Sequence, residues 1–238
     1  MRPKEKDPER FREQAQPVCD IYAQAAELHA NGTRTISTDE KTGIQARERI
    51  SPAIPVHAGQ PERQEYEYKR HGTLCLIANF EVATGRVVVP TIGPTRTEAD
   101  FVAHIAKTID SEPLSESIFI ADQLNTHQSE SLVRFVAERC GIDADLGKKG
   151  YTGILKTMAS RAEFLQDPSH RIRFVFIPKH SSWFNQVECW FSILARRLLK
   201  RGSFSSLNDL RERLLNFIDY FNDVLAKPFK WTYTTRIA

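Results

Sequence analysis

Three acidic residues stand where a carboxylate could do chemistry. Asp39 comes near the end of TRTISTDE (Thr33–Glu40), whose β-branched residues alternate with others as in a short strand ending at Asp39. Asp122 follows the apolar run IFIA (Ile118–Ala121) and opens the polar stretch DQLNTHQSE. Glu188 lies in HSSWFNQVECWFSILARRLLKRGSF, where Asn185, Glu188, Ser192 and Arg196 fall in one row of a helix, bordering its apolar stripe. Strand ends that open into loops are where α/β sheets gather their sites. Three such acids suit two Mg²⁺ ions about 3.5–4 Å apart, one activating an attacking water or 3′-hydroxyl and the other stabilising a leaving oxygen. Without a cation, neighbouring carboxylates raise one another's pKa. Each acid also has a plainer reading: Asp39 as a cap or turn residue, Asp122 as an Asx-turn, Glu188 as a surface ion-pair partner.

The elements that must position these acids follow from periodicity and punctuation. A charged start leads into a helix around Pro17–His29, and the first strand covers Thr33–Glu40. Arg47–Arg70, with Pro52, Pro55, Pro61 and Gly59, reads as loop. His71–Gly93 reads as a hairpin turning at EVATGR, with Gly85 supplying a positive φ. A helix follows over Thr95–Asp110, capped by Thr97, then a strand at Ile118–Ala121 and a helix at Ser129–Cys140. Ile142–Arg171 is basic and weakly periodic; Ile172–His180 is a buried strand stopped by Pro178. Helices then cover Ser182–Lys200, with Phe184, Val187, Phe191, Leu194 and Leu198 as its stripe, and Ser206–Phe221. Strands joined through crossover helices imply an α/β fold, a mixed sheet with helices on its faces.

The 238 residues, 41% hydrophobic and 26% charged, can bury a core and argue against wholesale disorder. No apolar run has a membrane span's length, and the charged N-terminus lacks a signal peptide's apolar centre. Cys19, Cys75, Cys140 and Cys189 are scattered without a CxxC pair, which argues against a zinc site or disulfide framework and for a reducing cytoplasm. The net charge of +3 hides an asymmetry: Gly147–Arg201 holds eleven Lys and Arg against three Asp and Glu. That concentration suggests contact with a polyanion, a solvated face being the alternative.

Three blocks, TDEKTGIQA (Thr38–Ala46), ADQLNTHQS (Ala121–Ser129) and PKHSSWFNQVECWFSILARRLLKRGSF (Pro178–Phe204), together resemble the DDE transposases of bacterial insertion sequences related to mariner. The third is the most specific, with His-x-x-Trp-x-Asn-x-x-Glu-x-x-Phe in one run. The resemblance covers nearly all of residues 33–231 and implies a ribonuclease-H-like core. Such a core cuts DNA at transposon ends and joins the freed 3′ ends to target DNA, using two Mg²⁺ for which Mn²⁺ can substitute. Residue by residue it implies Asp39, Asp122 and Glu188 as catalytic and metal-holding acids, with Asn125, His127 and Asn185 in support. His127 would contact a phosphate or orient a metal-bound water, unless it is a plain loop histidine. Asn185 would orient Glu188 from one turn before it, and Trp183 reads as a packing residue that seats the helix.

The chain departs from the family pattern in three places. Gln123 stands where many members carry Asn. An insertion at about 141–171 lengthens the stretch between Asp122 and Glu188. In and beside it, Lys148, Lys149, Lys156, Arg161, Arg171 and Arg173 are expected to hold DNA phosphates next to the site, together with Arg196, Arg197, Lys200 and Arg201 on the last block. Finally, residues 1–32 are too few for a complete helix-turn-helix reader and read as a helical remnant before a catalytic domain at 33–238. The expected partners are therefore transposon-end and target DNA, a separate helix-turn-helix protein and a second copy of the chain, with no membrane. Two alternatives keep the fold: a catalytically inactive DNA-binding remnant that represses related transposases, and another nuclease such as a resolvase or ribonuclease H.

Overall fold

The hairpin expected over His71–Gly93 is the antiparallel half of a five-stranded sheet. In the computed structural model, which describes residues 8–50, 59 and 67–234, the strands are β1 Thr33–Arg49, β2 Tyr68–Glu81, β3 Arg86–Gly93, β4 Glu116–Ala121 and β5 Ile172–Phe176. Their order is β3-β2-β1-β4-β5. β1, β2 and β3 pair antiparallel, whereas β4 pairs parallel to both β1 and β5. Gly85 turns the hairpin at φ 72°.

β1 is longer than the sequence suggests. Its alternation lapses at Lys41-Thr42-Gly43, yet pairing with β2 carries it to Arg49 through register shifts at Lys41/Ile44 and Gln45/Arg47. The expected loop over Arg47–Arg70 is therefore strand at both flanks; its residues 51–58 and 60–66 lie outside the described residues, as do 1–7 and 235–238. Asp39 consequently sits in mid-strand, not at a strand end. What ends near it is the pairing with β4, whose last partners are Ser37 and Ile120. β1 and β4 part just where Asp39 and Asp122 follow.

Helices cover both faces. On one, α1 (Pro8–Ala30) packs over the β4–β5 half, burying Phe11, Val18 and Tyr22 against Ile118, Ile120 and Val175. Beside it, α5 (Gln186–Leu194) and α6 (Leu207–Tyr220) bury Val187, Trp190, Leu210 and Leu214 against Leu76, Ala78 and Phe80. On the other face α2 (Glu98–Ser111), α3 (Glu130–Arg139) and α4 (Met158–Gln166) bury Phe101, Ile105, Val133 and Leu165 against Ile36, Ile77, Phe119 and Phe174. Successive strand residues point to opposite faces, so each strand feeds both cores. Thr97 caps α2 in a box with Asp100, as expected.

Two expectations change in detail. The helix over Ser182–Lys200 opens with a 3-10 turn (Ser182–Phe184), becomes α-helical over α5 and widens into a π turn at Ala195–Leu199. Within the basic segment, Thr157 and Ser160 form a capping box that starts α4, and Leu155 and Leu165 are fully buried. The basic segment thus anchors itself in the core through Leu155 and Leu165 while most of its other residues stay exposed or half-exposed. Among the described residues no helix is long and apolar enough to cross a membrane.

Candidate active site

Asp39 and Asp122 each follow two residues beyond the last β1–β4 partners, Ser37 and Ile120, and are close enough that the Asp122 charge acts on Asp39. Asp39 is only 7% exposed. Its Oδ1 accepts the Glu40 backbone N–H at 2.8 Å, and its Oδ2 accepts Asn185 Nδ2 at 3.4 Å. Burial, reinforced by the Asp122 charge, pushes its pKa up to about 7. Glu188, in the first turn of α5, is half-buried; burial again raises its pKa, with Lys41 opposing and Asp122 adding to the rise.

Asp122 behaves differently because it has a cation. Burial alone would raise its pKa, but His127 outweighs it and holds the carboxyl below the usual range. His127 Nδ1 stands 2.7 Å from Asp122 Oδ1, and Nε2 stands 3.2 Å from Glu40 Oε2. The ring is fully buried, on a 3-10 turn (Asn125–Gln128), and packs tilted by 37° against Phe101 at 4.2 Å between centroids. Burial disfavours its charge, yet the two carboxylates prevail and push its pKa up to about 10. His127 is thus held between two carboxylates that favour its charged form, and is not a plain loop histidine.

The acids influence one another in pairs, Asp39 with Asp122 and Asp122 with Glu188. Among the described residues no three His, Cys, Asp or Glu side chains converge tightly enough to hold one ion by themselves. The donor chemistry nonetheless suits a hard divalent cation: all donors are carboxylate oxygens, and the raised pKa values of Asp39 and Glu188 mark charge that a bound cation would stabilise. Mg²⁺ usually takes only one or two protein carboxylates and completes its shell with water or phosphate.

The supporting residues divide. Asn185 is fully buried but serves Asp39, not Glu188 as expected; its Nδ2 also donates to Thr38 O at 2.9 Å. Asn125 lies exposed on its turn. Gln123 folds back to donate to Ile177 O at 3.0 Å. Trp183 packs edge-on against Phe184 and Tyr233, the seating role expected of it.

The cations divide as well. Lys148, Lys149 and Lys156 are exposed. Lys149 lies near enough to Glu98, at the start of α2, to add to the Ser131 hydrogen bonds that lower its pKa. Arg161 corrects the expectation of a phosphate contact: it is 5% exposed and donates to Gln128 O at 2.6 Å and Leu155 O at 3.2 Å. It braces the turn that carries His127. Arg171 and Arg173 are also not next to the site. β5 begins level with Ser117, placing Arg173 roughly 13 Å and Arg171 roughly 20 Å back from Asp122 along the strands at ~3.3 Å per residue. Arg171 is spent on the carbonyls of Pro113 and Ser115. Arg196, Arg197, Lys200 and Arg201 are exposed and line a groove of about 610 Å³ with Phe217 and Tyr220.

Sequence reasoning missed four residues. Glu40 anchors His127 from the opposite face of β1 to Asp39; the doubled acid in TDE was its signal. Ser37 hydrogen-bonds Asn185, and its polarity in a buried strand was the hint. Lys41 and Arg96 stand near Glu188 and Asp122 respectively, and nothing local in the sequence set Arg96 apart.

A family model described as DDE superfamily endonuclease matches residues 34–211, a span holding all three acids. The chain belongs to that family. Among solved structures it is similar to a pre-cleavage Mos1 transpososome, at 14% identity and a TM-score of 0.57, over 92% of this chain and 58% of that one. The Mos1 mariner paired end complex with Mn matches at 15% identity and 0.55, over 92% of this chain and 57% of that one. The catalytic domain of Mos1 mariner transposase matches at 12% identity and 0.53, over 92% and 85%. These likenesses establish the ribonuclease-H-like fold; the chain spans less than two thirds of the length of the transpososome and paired-end chains. A search by sequence among curated proteins found no match.

Proposed function

We propose that this chain is the catalytic domain of a transposase, cutting DNA at transposon ends and joining the 3′ ends to target DNA. One observation carries the reading: Asp122, at a strand tip, stands close enough to Asp39 in mid-strand and to Glu188 at a helix start to raise the pKa of each. The three would hold Mg²⁺ or Mn²⁺, which when bound activates the attacking oxygen and stabilises the leaving one. The protein's own groups do the rest. Asn185 and the Glu40 amide orient Asp39, and His127, anchored by Glu40, orients Asp122. Arg96 and Lys41 place positive charge beside the acids, suited to a scissile phosphate.

In this reading Lys148, Lys149 and Lys156 hold flanking phosphates on one side, and Arg196, Arg197, Lys200 and Arg201 do so along the continuation of α5. Residues 33–238 form the catalytic unit, interrupted by the insertion at about 141–171, and residues 1–32 precede it. The partners are transposon ends and target DNA, a second copy of the chain at synapsis, and a helix-turn-helix protein that reads the ends, all in the cytoplasm. A second reading, a DNA-binding remnant that represses related elements, draws on the ion pair by which His127 already satisfies Asp122.

The test is nicking and strand transfer on DNA carrying the element's ends, with Mg²⁺ or Mn²⁺, for the native chain and Glu188→Gln. The proposal expects cleavage by the native chain and none by the variant. Binding by both with steep salt dependence, and cutting by neither, would sink it in favour of the remnant.

A further inference from the structure

α5 begins in an unusual way. Asn185 occupies its N-cap, where an Asn side chain ordinarily accepts from the second or third amide of its own helix. Here it makes no such bond. Its Oδ1 accepts from the Ser37 hydroxyl, and its Nδ2 donates to Thr38 O and Asp39 Oδ2.

The amides it leaves open are capped from elsewhere in the fold. Val187 N–H donates to Ser37 Oγ at 3.0 Å, and Gln186 N–H donates to Tyr22 Oη at 3.3 Å. Tyr22 in turn donates to Phe184 O at 3.0 Å. Ser37 lies two residues before Asp39 on the same face of β1, and Tyr22 is a buried residue of α1. A helix that needed only an N-cap had one at Asn185. Supplying the cap from β1 and α1 frees that side chain to grip Asp39.

We propose that Tyr22, Ser37 and Asn185 form a positioning relay that fixes Asp39 against the first turn of α5, and so against Glu188. α1 is then a working part of the site. The inference rests on the reading of these acids as metal-holding groups. Ser37 and Tyr22 are buried, and they act through Asn185 and the helix start.

The experiment uses the full chain and Mn²⁺ alone as probe. Mn²⁺ binding is followed by electron paramagnetic resonance for the native chain, Ser37→Ala, Ser37→Thr, Tyr22→Phe and Glu188→Gln. Thermal midpoints and salt-dependent DNA binding are measured alongside. Removing groups that orient metal ligands typically weakens affinity by about 10- to 100-fold. Ser37→Ala is expected to fall in that range, with Tyr22→Phe moving the same way by less. Ser37→Thr, which keeps the hydroxyl, restores the native value, and DNA affinity is unchanged in the Ser37 and Tyr22 variants.

Native Mn²⁺ affinity in Ser37→Ala and Tyr22→Phe overturns the relay, as does a loss that only tracks the unfolded fraction. If Ser37→Ala does not fold, Tyr22→Phe decides, because its ring still packs on Trp231. A native chain that binds no Mn²⁺, with Glu188→Gln no different, removes both the relay and the catalytic reading. Mn²⁺ binding lost in Glu188→Gln but intact in Ser37→Ala and Tyr22→Phe removes the relay alone.

Discussion

His127 joins Asp122 and Glu40 through its two ring nitrogens, at 2.7 and 3.2 Å, with the imidazole fully enclosed. Removing the ring strands Glu40, whose side chain is 1% exposed, without a counter-charge. Breaking a buried pair by deleting one partner costs about 3–5 kcal/mol. His127→Ala is expected to lose that much in urea unfolding at pH 7, and Glu40→Gln with His127→Gln together to lose less than the sum of the two single changes.

The same histidine sets a pH dependence. Its pKa rises from 6.5 unfolded to about 10 folded. The folded state therefore binds the extra proton between those values, and the contribution is complete below about pH 6.5 and lost as pH climbs to 10. Urea midpoints of the native chain should fall across that window. A flat profile matching that of His127→Gln would contradict the assignment.

Asp39 shifts stability in the same direction over a lower pH range. With a folded pKa of about 7 against 3.8, it must ionise at a cost that grows as pH rises from 4 to 7. Mn²⁺ bound at the carboxylate offsets that cost, so it should raise the thermal midpoint more at pH 8 than at pH 5. Asp39→Asn should abolish the difference.

The basic residues make separable predictions. Replacing Lys148 and Lys149 with Gln should lower the slope of log affinity against log salt by about 0.9 for each duplex phosphate that is no longer neutralised. Arg161→Met should leave that slope alone. It should instead cost about 1–3 kcal/mol, because the Gln128 and Leu155 carbonyls lose a buried donor. Fluorescence anisotropy across a salt series, with urea unfolding beside it, reads both.

Much of the fold was legible because its signals are local. The apolar run before Asp122, the hairpin at Gly85 and the cap at Thr97 lie within a few residues of what they determine. β1 was misjudged because its second half is specified by pairing with β2 across an intervening segment, and short-range alternation carries no record of that. Arg161 and Arg171 were misassigned because charge in a sequence does not reveal whether a guanidinium meets solvent or a ring of carbonyls. Asn185 was recognised, but its partner was not, since the row on the helix pointed to Glu188 while the fold delivered Asp39.

Asp39 and Glu40 are neighbours in the chain yet serve opposite sides of the sheet, one facing α5 and the other His127. Parity along β1 is thus functional information. One residue added between Thr33 and Ser37 would exchange the two acids' sides and turn Ser37 away from the helix it caps. Beyond Lys41 the register already slips twice, so length changes there leave the acids where they are. Divergence among relatives should accordingly crowd its insertions and deletions after Lys41 and spare the few residues before it.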